Sequence, residues 1–302
     1  MLPPSLQPQL LTSARAAPVG DRWIHEVKYD GVRLLCRVEG GRARLLTRGG
    51  QDWTARAGSV TAAVEALGID GAWLDGELVA LRPDGLPDFD GLHAAMRGGR
   101  GAPLLAFQVW DAPWLDGRDL SALCVLERKA RLEERVRGRS AGGVVRYCDH
   151  LRGRGPVFFA HAFRAGVEGI VSKRVGSPYR PGVRSRDWLK VKCFRTFRVR
   201  VAGCTPSLET VFAGEVGEGG RLAFAGRVLG WGPIEARREL RAALAGLRRD
   251  RCPLHPPLRL REEVCWVEPV LEVEVTALCR APGEKLRHAV LKRVVGIAEV
   301  VG

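Results

Sequence analysis

The sequence predicts an α+β protein in which antiparallel sheets with helices are followed by a small β-barrel. Short runs of alternating apolar and polar residues recur along the chain, and turn signals separate them, as strands require. Few stretches show helical periodicity. Near residue 195 the pattern changes to one dominated by strands. We therefore predict a first domain over residues 1–194 and a second over residues 195–302.

The first domain is expected to follow an irregular lead-in over residues 1–20. A Gly-Gly turn at residues 40–41 indicates an antiparallel hairpin. Helices are expected near residues 59–68, with the sequence SVTAAVEALG, and near 126–136, with LERKARLEERV. The strand-like runs are WIHEVKY, VRLLCRVEG, ARLLTR, AWLDGELVAL, LLAFQVW, GIVSKR and DWLKVKC.

The second domain reads as a small barrel. LETVFAGEV and RLAFAGRVL flank a glycine-rich turn, and EEVCWVEPVLEVEVTALC is again strand-like. Pro233 opens a helix in which Leu240, Leu244 and Leu247 share one face. Several short strands and one helix in a segment of this size are typical of an OB-fold.

Composition narrows the class of function. Lys plus Arg number 48 against 34 Asp plus Glu, a formal net charge of +14, which favours a polyanionic partner such as nucleic acid. No apolar run is long enough to span a membrane, and prolines interrupt the N-terminus where a signal peptide needs an apolar core, so a cytosolic protein is expected. The eight cysteines form no CxxC pair, which argues against a zinc or dithiol motif.

Two lysine-containing strands are candidates for chemistry. In EVKYDGVR, alternation places Glu26 and Lys28 on one face of the strand, and Asp30 begins the turn. In WLKVK, Lys190 and Lys192 share a face, an arrangement that suits a polyphosphate. Each pattern also occurs without function, as a surface hairpin with ion pairs or as a lysine-protected edge strand.

Two carboxylate-bearing stretches complete the set. LDGELVA places Asp75 and Glu77 on one strand face, and VEGIVSKR offers Glu168 and then Lys173. Carboxylates beside lysines in a phosphate-binding cleft are natural ligands for Mg²⁺ or Mn²⁺, although ordinary salt bridges look the same in sequence. Glu168 and Lys173 have opposite parity, so the chain must turn at Gly169 or the two side chains lie at different depths.

Taken in order, KYDGVR, LLTRGG, LDGELV, EGIVSKR and WLKVK resemble the successive motifs of the covalent nucleotidyltransferases, which are ATP-dependent DNA ligases, RNA ligases and capping enzymes. LDGRDL, SPYRPGVRSRDWLKVKC and CWVEPVLEVEV further resemble the ligase of bacterial non-homologous end joining. The resemblance extends from about residue 20 to residue 292. It implies an adenylation (nucleotidyltransferase) domain followed by an OB-fold domain that binds DNA.

The resemblance also implies roles for individual residues. Lys28 would attack the α-phosphate of ATP and form a lysyl-AMP, Trp110 would stack on the adenine, and Arg48 would lie near the phosphate of a nick. Metal-binding roles fall on Glu77 and Glu168, with Mg²⁺ or Mn²⁺ as the ion. Nucleotide- or phosphate-binding roles fall on Glu26, Asp30, Arg33, Arg48, Glu77, Trp110, Lys190 and Lys192.

The implied partner is double-stranded DNA with nicks or ends. A Ku-like end-binding protein and a separate repair polymerase would be further partners. The resemblance also implies a monomeric, nucleoid-associated cytoplasmic protein.

The last barrel motif departs from the family. It begins as expected with Leu286-Arg287-His288 but lacks the acidic element and the final lysine, so Lys292 or Arg293 would have to substitute. The alternatives are an RNA ligase or capping enzyme, and a DNA-end-binding protein that has lost adenylation.

Overall fold

The computed structural model describes residues 1–83, 85, 87–96, 104–139, 141–230, 232–278 and 285–298. The chain divides into two compact units, Met1–Cys193 and Phe194–Gly302. None of the helices in these ranges is long and apolar enough to cross a membrane.

In the residues that the structure describes, the first unit contains two sheets and four α-helices. Its strands are β1 (Leu10–Ser13), β2 (Trp23–Lys28), β3 (Val32–Glu39), β4 (Arg42–Thr47), β5 (Ala72–Leu81), β6 (Leu104–Leu115), β7 (Arg118–Asp119), β8 (Val145–Tyr147), β9 (Leu151–Arg152), β10 (Gly169–Arg174) and β11 (Arg184–Lys192). Its helices are α1 (Gly58–Glu65), α2 (Phe89–Met96), α3 (Val125–Val136) and α4 (Gly155–Ala165).

Strand pairing in both sheets is mainly antiparallel. One sheet has the order β1-β11-β10-β2-β9, and the other has the order β4-β3-β5-β6-β7 with β8 beside β6. Among the described strands of this unit, only the β1–β11 and β6–β8 pairings are parallel. All seven predicted strands and both predicted helices of this unit are present. The main apolar core includes Val60 and Val64 of α1, Leu132 of α3, and the inner face of the second sheet.

Two helices, α2 and α4, were not predicted from the sequence. For α4, residues typical of a helix start and a helix end were present. α4 has Pro156 in its first turn and ends at Gly166, whose φ of 76° is the left-handed conformation favoured after a helix. Its large apolar residues, one valine and three phenylalanines, alternate with small residues, so the sequence shows no clear helical face. α2 follows a turn-rich stretch and is only 8 residues long.

The N-terminal segment is irregular, as the sequence suggested, except for β1, which was not predicted. Leu2 is buried against Leu35 and Trp73, and the Trp73 indole Nε1 donates to the Pro3 carbonyl at 3.0 Å. β1 then pairs in parallel with β11. This strand was missed because the leucines near the start have no regular spacing, and only the tertiary fold provides the apolar surface that they cover.

Glycines stand where two backbones approach closely. A Cβ atom built on Gly31 would lie 2.1 Å from the carbonyl oxygen of Leu78 on β5, and one built on Gly169 would lie 2.3 Å from the carbonyl oxygen of Val191 on β11. Because no side chain fits at such distances, both glycines are required by strand packing beside the lysine-bearing strands.

The second unit is a closed barrel. Its elements are β12 (Phe194–Cys204), β13 (Thr210–Val216), β14 (Leu222–Leu229), α5 (Ile234–Leu244), β15 (Cys265–Trp266), β16 (Leu271–Leu278) and β17 (Leu286–Ile297). The strands follow the order β13-β14-β17-β16-β12, and a β12–β13 pairing closes the ring, with β15 added beside β12. The β14–β17 pairing is parallel. Leu240 and Leu244 of α5 are buried in its core. This topology is an OB-fold, as predicted.

Candidate active site

Three neighbouring strands of the first sheet present one continuous functional face. Strand register aligns Lys28 of β2 with Gly169 of β10, and Gly169 with Lys192 of β11. Two residues along, Glu26 aligns with Val171, and Val171 with Lys190. Because directly paired residues point to the same side of a sheet, Glu26 and the three lysines share a face. The strand register therefore brings together the residues that alternation placed on one face of each strand.

Glu168 links two of these lysines. Its carboxylate forms a short ion pair with Lys28 Nζ, and its other oxygen lies 3.4 Å from Lys192 Nζ. Glu168 immediately precedes β10, so strand alternation does not fix the direction of its side chain. This position explains how Glu168 and Lys173 both reach the functional face despite their opposite parity: the chain turns into the strand at Gly169.

Glu26 is buried at the base of the cleft. The Glu26 residue is 2% exposed, and a lysine lies at each carboxylate oxygen. Lys129 Nζ is 2.7 Å from Oε1, and Lys173 Nζ is 2.8 Å from Oε2. Two cations on one anion give the base of the cleft a positive charge, which suits an anionic ligand.

A cavity opens over this face. Its wall combines charged groups with aromatic and aliphatic side chains, as is typical of a nucleotide-sized ligand site. Five of the residues predicted for nucleotide or metal binding line it: Glu26, Lys28, Arg33, Glu77 and Trp110. Other lining residues include Leu11, Val171, Lys173 and Trp188.

Arg33 is held in place by a buried carboxylate. Its Nε donates to Asp75 Oδ1 at 2.9 Å and its Nη2 to Asp75 Oδ2 at 2.6 Å, while Nη1 donates to the Gln9 carbonyl at 2.7 Å. The Tyr179 hydroxyl also donates to Asp75 Oδ2, at 2.8 Å. The guanidinium carbon lies 5.5 Å from the centroid of the Trp110 ring. Asp75 of the LDGE stretch therefore orients Arg33 at the cleft wall.

Glu77 has an unusual environment for a carboxyl group. Burial raises the pKa of Glu77 to about 8, and the negative charges of Glu168 and Asp75 act in the same direction, against Lys28 and Arg33. A cation bound beside Glu77 and Glu168 would relieve this repulsion. The described residues contain no cluster of three or more His, Cys, Asp or Glu that could hold a metal by themselves. Two carboxylates are sufficient for Mg²⁺ when phosphate oxygens and water complete its shell.

Lys190 extends the positive face. Burial lowers the pKa of Lys190, and the neighbouring charges of Lys192, Lys28 and Arg184 lower it further. These lysines are therefore close enough to repel one another. Such a cluster is stabilised when an anion binds between its members.

Five predicted residues are not among those that line the cavity. Glu168, Lys190 and Lys192 lie beside Lys28 on the functional face, whereas the other two lie in turns. Arg48 is exposed in the turn that follows β4, and Asp30 lies in the turn between β2 and β3. Neither is among the residues that line the cavity. Their predicted roles near the nick phosphate and the nucleotide are not explained by the cavity alone.

Several site residues were missed by the sequence analysis. Tyr179 and Gln9 act on the Arg33–Asp75 pair, and Lys129 binds Glu26. No local pattern marks them. Lys129 in particular lies in an arginine-rich helix, where a sequence offers no reason to separate one buried cation from its exposed neighbours.

In the barrel, Lys292 and Arg293, which would have to replace the altered last motif, both contact Glu274. Arg293 donates to Glu274 through Nε at 2.8 Å and Nη2 at 2.7 Å, and Lys292 Nζ lies 3.7 Å from the same group. The hydrogen bonds from Arg293 lower the pKa of Glu274. Arg293 is the more firmly held of the two.

Comparison with known proteins agrees with this geometry. A family model described as the ATP-dependent DNA ligase domain matches residues 11–192. The multifunctional non-homologous end joining protein LigD of Pseudomonas aeruginosa is 36% identical over 299 residues, which cover 96% of this chain and 35% of that protein. LigD of Mycobacterium tuberculosis H37Rv is 33% identical over 296 residues, 94% of this chain and 38% of that protein. The chain thus spans little more than a third of the length of these relatives.

Solved structures give the same result. A mycobacterial DNA ligase D complexed with ATP and MES is 31% identical, with a TM-score of 0.60 and coverage of 96% of this chain and 95% of that one. The ligase domain of M. tuberculosis LigD is 30% identical, with a TM-score of 0.59 and the same coverage. The predicted resemblance and fold class are confirmed. The chain belongs to the family of ATP-dependent DNA ligase domains, of the kind found in bacterial non-homologous end joining.

Proposed function

We propose that this protein seals breaks in double-stranded DNA and that Lys28 is its adenylated nucleophile. The observation that carries the proposal is the position of Lys28 at a cavity in the matched ligase unit, on a face shared with Lys190 and Lys192. Residues 1–194 would be the adenylation domain, and residues 195–302 would bind DNA.

In the first step the Lys28 amine attacks the α-phosphorus of ATP. A P–N bond forms, the bond from the α-phosphorus to the bridging oxygen breaks, and pyrophosphate leaves. Before this attack Lys28 must leave its ion pair with Glu168 and lose one proton to solvent, because an ammonium has no free electron pair. Lys190 and Lys192 would bind the α-phosphate and stabilise the charge that develops on its oxygens.

Glu77 and Glu168 fit a role in holding Mg²⁺ or Mn²⁺. Their charges repel each other, and both act on the same lysine, Lys28. When bound, the ion would supply positive charge at the phosphates. A cation on the Glu168 carboxylate would also compete with Lys28 for it and so favour release of the amine.

Three further residues would orient the nucleoside. Trp110 offers an aromatic ring for the adenine, and Arg33, fixed by Asp75 beside that ring, would hydrogen-bond the ribose. Glu26, buried at the base of the cleft, would define where the adenine ends. Asp30 would shape the turn that follows the nucleophile.

The later steps act on DNA. AMP moves from Lys28 to a 5′-phosphate, and a 3′-hydroxyl then attacks that phosphate, forms the phosphodiester bond and releases AMP. Arg48, exposed on its turn, would contact the phosphate of the nick. The excess of 48 basic over 34 acidic residues would hold the DNA backbone.

The biological setting is proposed from the relatives. The P. aeruginosa relative is described as a multifunctional non-homologous end joining protein. By analogy, this chain would work as a monomer at nucleoid DNA in the cytoplasm, together with a Ku-like end-binding protein and a repair polymerase.

The proposal is tested by incubating the purified protein with α-labelled ATP and Mg²⁺ or Mn²⁺, followed by a denaturing gel. We expect an acid-labile labelled band that is absent in Lys28→Ala. Label retained by Lys28→Ala would contradict the assignment of the nucleophile. If the wild-type protein neither labels nor seals pre-adenylated nicked DNA, the alternative of a DNA-end-binding protein without ligase activity would replace it.

A further inference from the structure

Helix α3 carries two consecutive charged residues that are fully buried. Arg128 and Lys129 are both 0% exposed, although charged side chains are rarely buried unless each is paired. Arg128 binds Asp111 through Nε at 2.7 Å and Nη2 at 2.9 Å. Lys129 turns towards the nucleotide cleft and binds Glu26. α3 therefore contributes a buried side chain to the surroundings of the site, because Lys129 contacts a residue of the cleft.

The ammonium group of Lys129 contacts three oxygen atoms. It forms an ion pair with Glu26 Oε1 at 2.7 Å, and it donates to the Cys148 carbonyl at 2.8 Å and to the Trp110 carbonyl at 3.4 Å. The acceptors belong to β2, to β6 and to the segment after β8. Lys129 therefore fixes three separate parts of the backbone and side chains relative to one another.

Glu26 links Lys129 to Lys173, a residue that lines the cleft. Its second oxygen is bound by Lys173 at 2.8 Å, and Lys173 Nζ also lies 4.4 Å from the centroid of the Trp188 ring. Glu26, Lys173 and Trp110 all line the cleft, whereas Lys129 does not. Two lysines share one carboxylate, so one positive charge is left over, and Lys173 is the lysine of the pair that faces the ligand.

We propose that Lys129 is a positioning residue for the nucleotide and acts through Glu26 and the backbone of Trp110. By binding one oxygen of Glu26, it holds that carboxylate at the base of the cleft, where the other oxygen contacts Lys173. Together with Lys173, which donates to the same Trp110 carbonyl at 3.4 Å, it also holds the strand that carries the Trp110 ring. This inference rests on the proposed function, and it adds a residue that never touches the nucleotide.

The test compares Lys129→Met with Arg131→Met, an exposed residue of the same helix. Lysyl-AMP formation is measured against ATP concentration in the full chain, well below the melting temperature of each variant. We expect Lys129→Met to raise KM for ATP about tenfold or more while the maximal rate falls less than about threefold, because the loss is in binding geometry. Arg131→Met should match the wild type. A lowered melting temperature with unchanged KM would overturn the proposal, because Lys129 would then serve stability alone.

A second comparison tests the route through Glu26. In a Glu26→Gln background, adding Lys129→Met should raise KM clearly less than it does in the wild-type background, because only the contact with the Trp110 carbonyl is then left to lose. A further change as large as in the wild-type background would overturn the proposed route. This double variant also removes both charges together, so it provides a folded comparison if Lys129→Met alone fails to fold.

Failure of the proposed function gives a different result. If the wild-type protein forms no lysyl-AMP, the assignment of Lys28 is at fault, and ATP affinity is then measured directly by calorimetry. In that assay, an affinity about tenfold weaker in Lys129→Met than in Arg131→Met would support the positioning role. Equal affinities would overturn it.

Discussion

Arg33 of β3 and Asp75 of β5 are diagonal neighbours on adjacent strands and make two parallel hydrogen bonds, at 2.9 and 2.6 Å, with the carboxylate fully buried and the guanidinium at the cleft wall. The pair joins two of the motifs that the sequence presents separately, KYDGVR and LDGELV. Asp75 contributes no group to the cavity wall. Its role is to direct Arg33, with Tyr179 binding the same carboxylate from the other side.

Asp75→Asn should therefore impair nucleotide binding without removing any residue that lines the cavity. The amide can accept only one of the two guanidinium hydrogen bonds, and the loss of a charge-assisted bond of this kind costs about 2 kcal/mol. We expect a similar fall in the free energy of unfolding and a KM for ATP raised at least about tenfold. Chemical denaturation and lysyl-AMP kinetics measure the two effects. Asp116→Asn, which breaks the exposed pair with Arg135, is the matched control and should change neither. Normal KM in Asp75→Asn would show that Arg33 does not need its partner.

Gly31→Ala should destabilise the first unit through backbone contact alone. The added Cβ would lie 2.1 Å from the Leu78 carbonyl oxygen, so β3 and β5 must separate, at a cost of about 3 kcal/mol. Gly58→Ala is the control, because a Cβ on Gly58 meets no atom within 4 Å. Thermal unfolding of both variants is the measurement. Equal melting temperatures would mean that the two strands can separate at little cost.

The Glu77 carboxyl predicts a pH dependence of stability in metal-free buffer. Its pKa is raised from the ordinary 4.5 to about 8 in the folded protein, so the folded state binds a proton more tightly than the unfolded state. Stability from this group is complete below pH 4.5 and is lost as the pH rises through 8. In EDTA, Glu77→Gln should therefore gain stability relative to the wild type as the pH is raised from 5 to about 9. Melting curves across that range test the effect, and parallel curves for the two proteins would contradict it.

Lys292 and Arg293 should differ in function, although both contact Glu274. Arg293 is engaged in two hydrogen bonds with Glu274, whereas Lys292 is 3.7 Å away and exposed. We expect Lys292→Ala to slow lysyl-AMP formation about tenfold or more while the sealing of pre-adenylated nicked DNA stays normal. Arg293→Ala should instead lower the thermal stability of the barrel. The opposite assignment of the two phenotypes would transfer the proposed role to Arg293.

Strand alternation was sufficient to predict much of the site. Glu26 and Lys28 on β2, and Lys190 and Lys192 on β11, were each placed on a common face by period-two spacing, and the register of β10 between them brings the two pairs together. These predictions succeeded because residues two apart in a strand point the same way whatever surrounds them.

The contacts that hold the site together could not be predicted in this way. Tyr179 and Asp75 are 104 residues apart in sequence, and Gln9 binds the Arg180 backbone across 171 residues. Nothing local marks Lys129 as buried, since Arg131 in the same helix is exposed. Pairings of this kind are decided by tertiary packing, which the spacing of residues along one element does not contain.

Within the short motif KYDGVR, Gly31 is needed for strand packing, whereas Lys28 is needed for chemistry. Lys28 is needed only where a nucleotidyl group is transferred, but Gly31 is needed wherever β3 and β5 lie this close, whether or not any reaction follows. A homologue that lost its nucleophile during evolution would still be under selection to keep the glycine. In comparisons among distant sequences, a preserved glycine at this position therefore reports shared architecture, and only the lysine three residues before it reports shared catalysis.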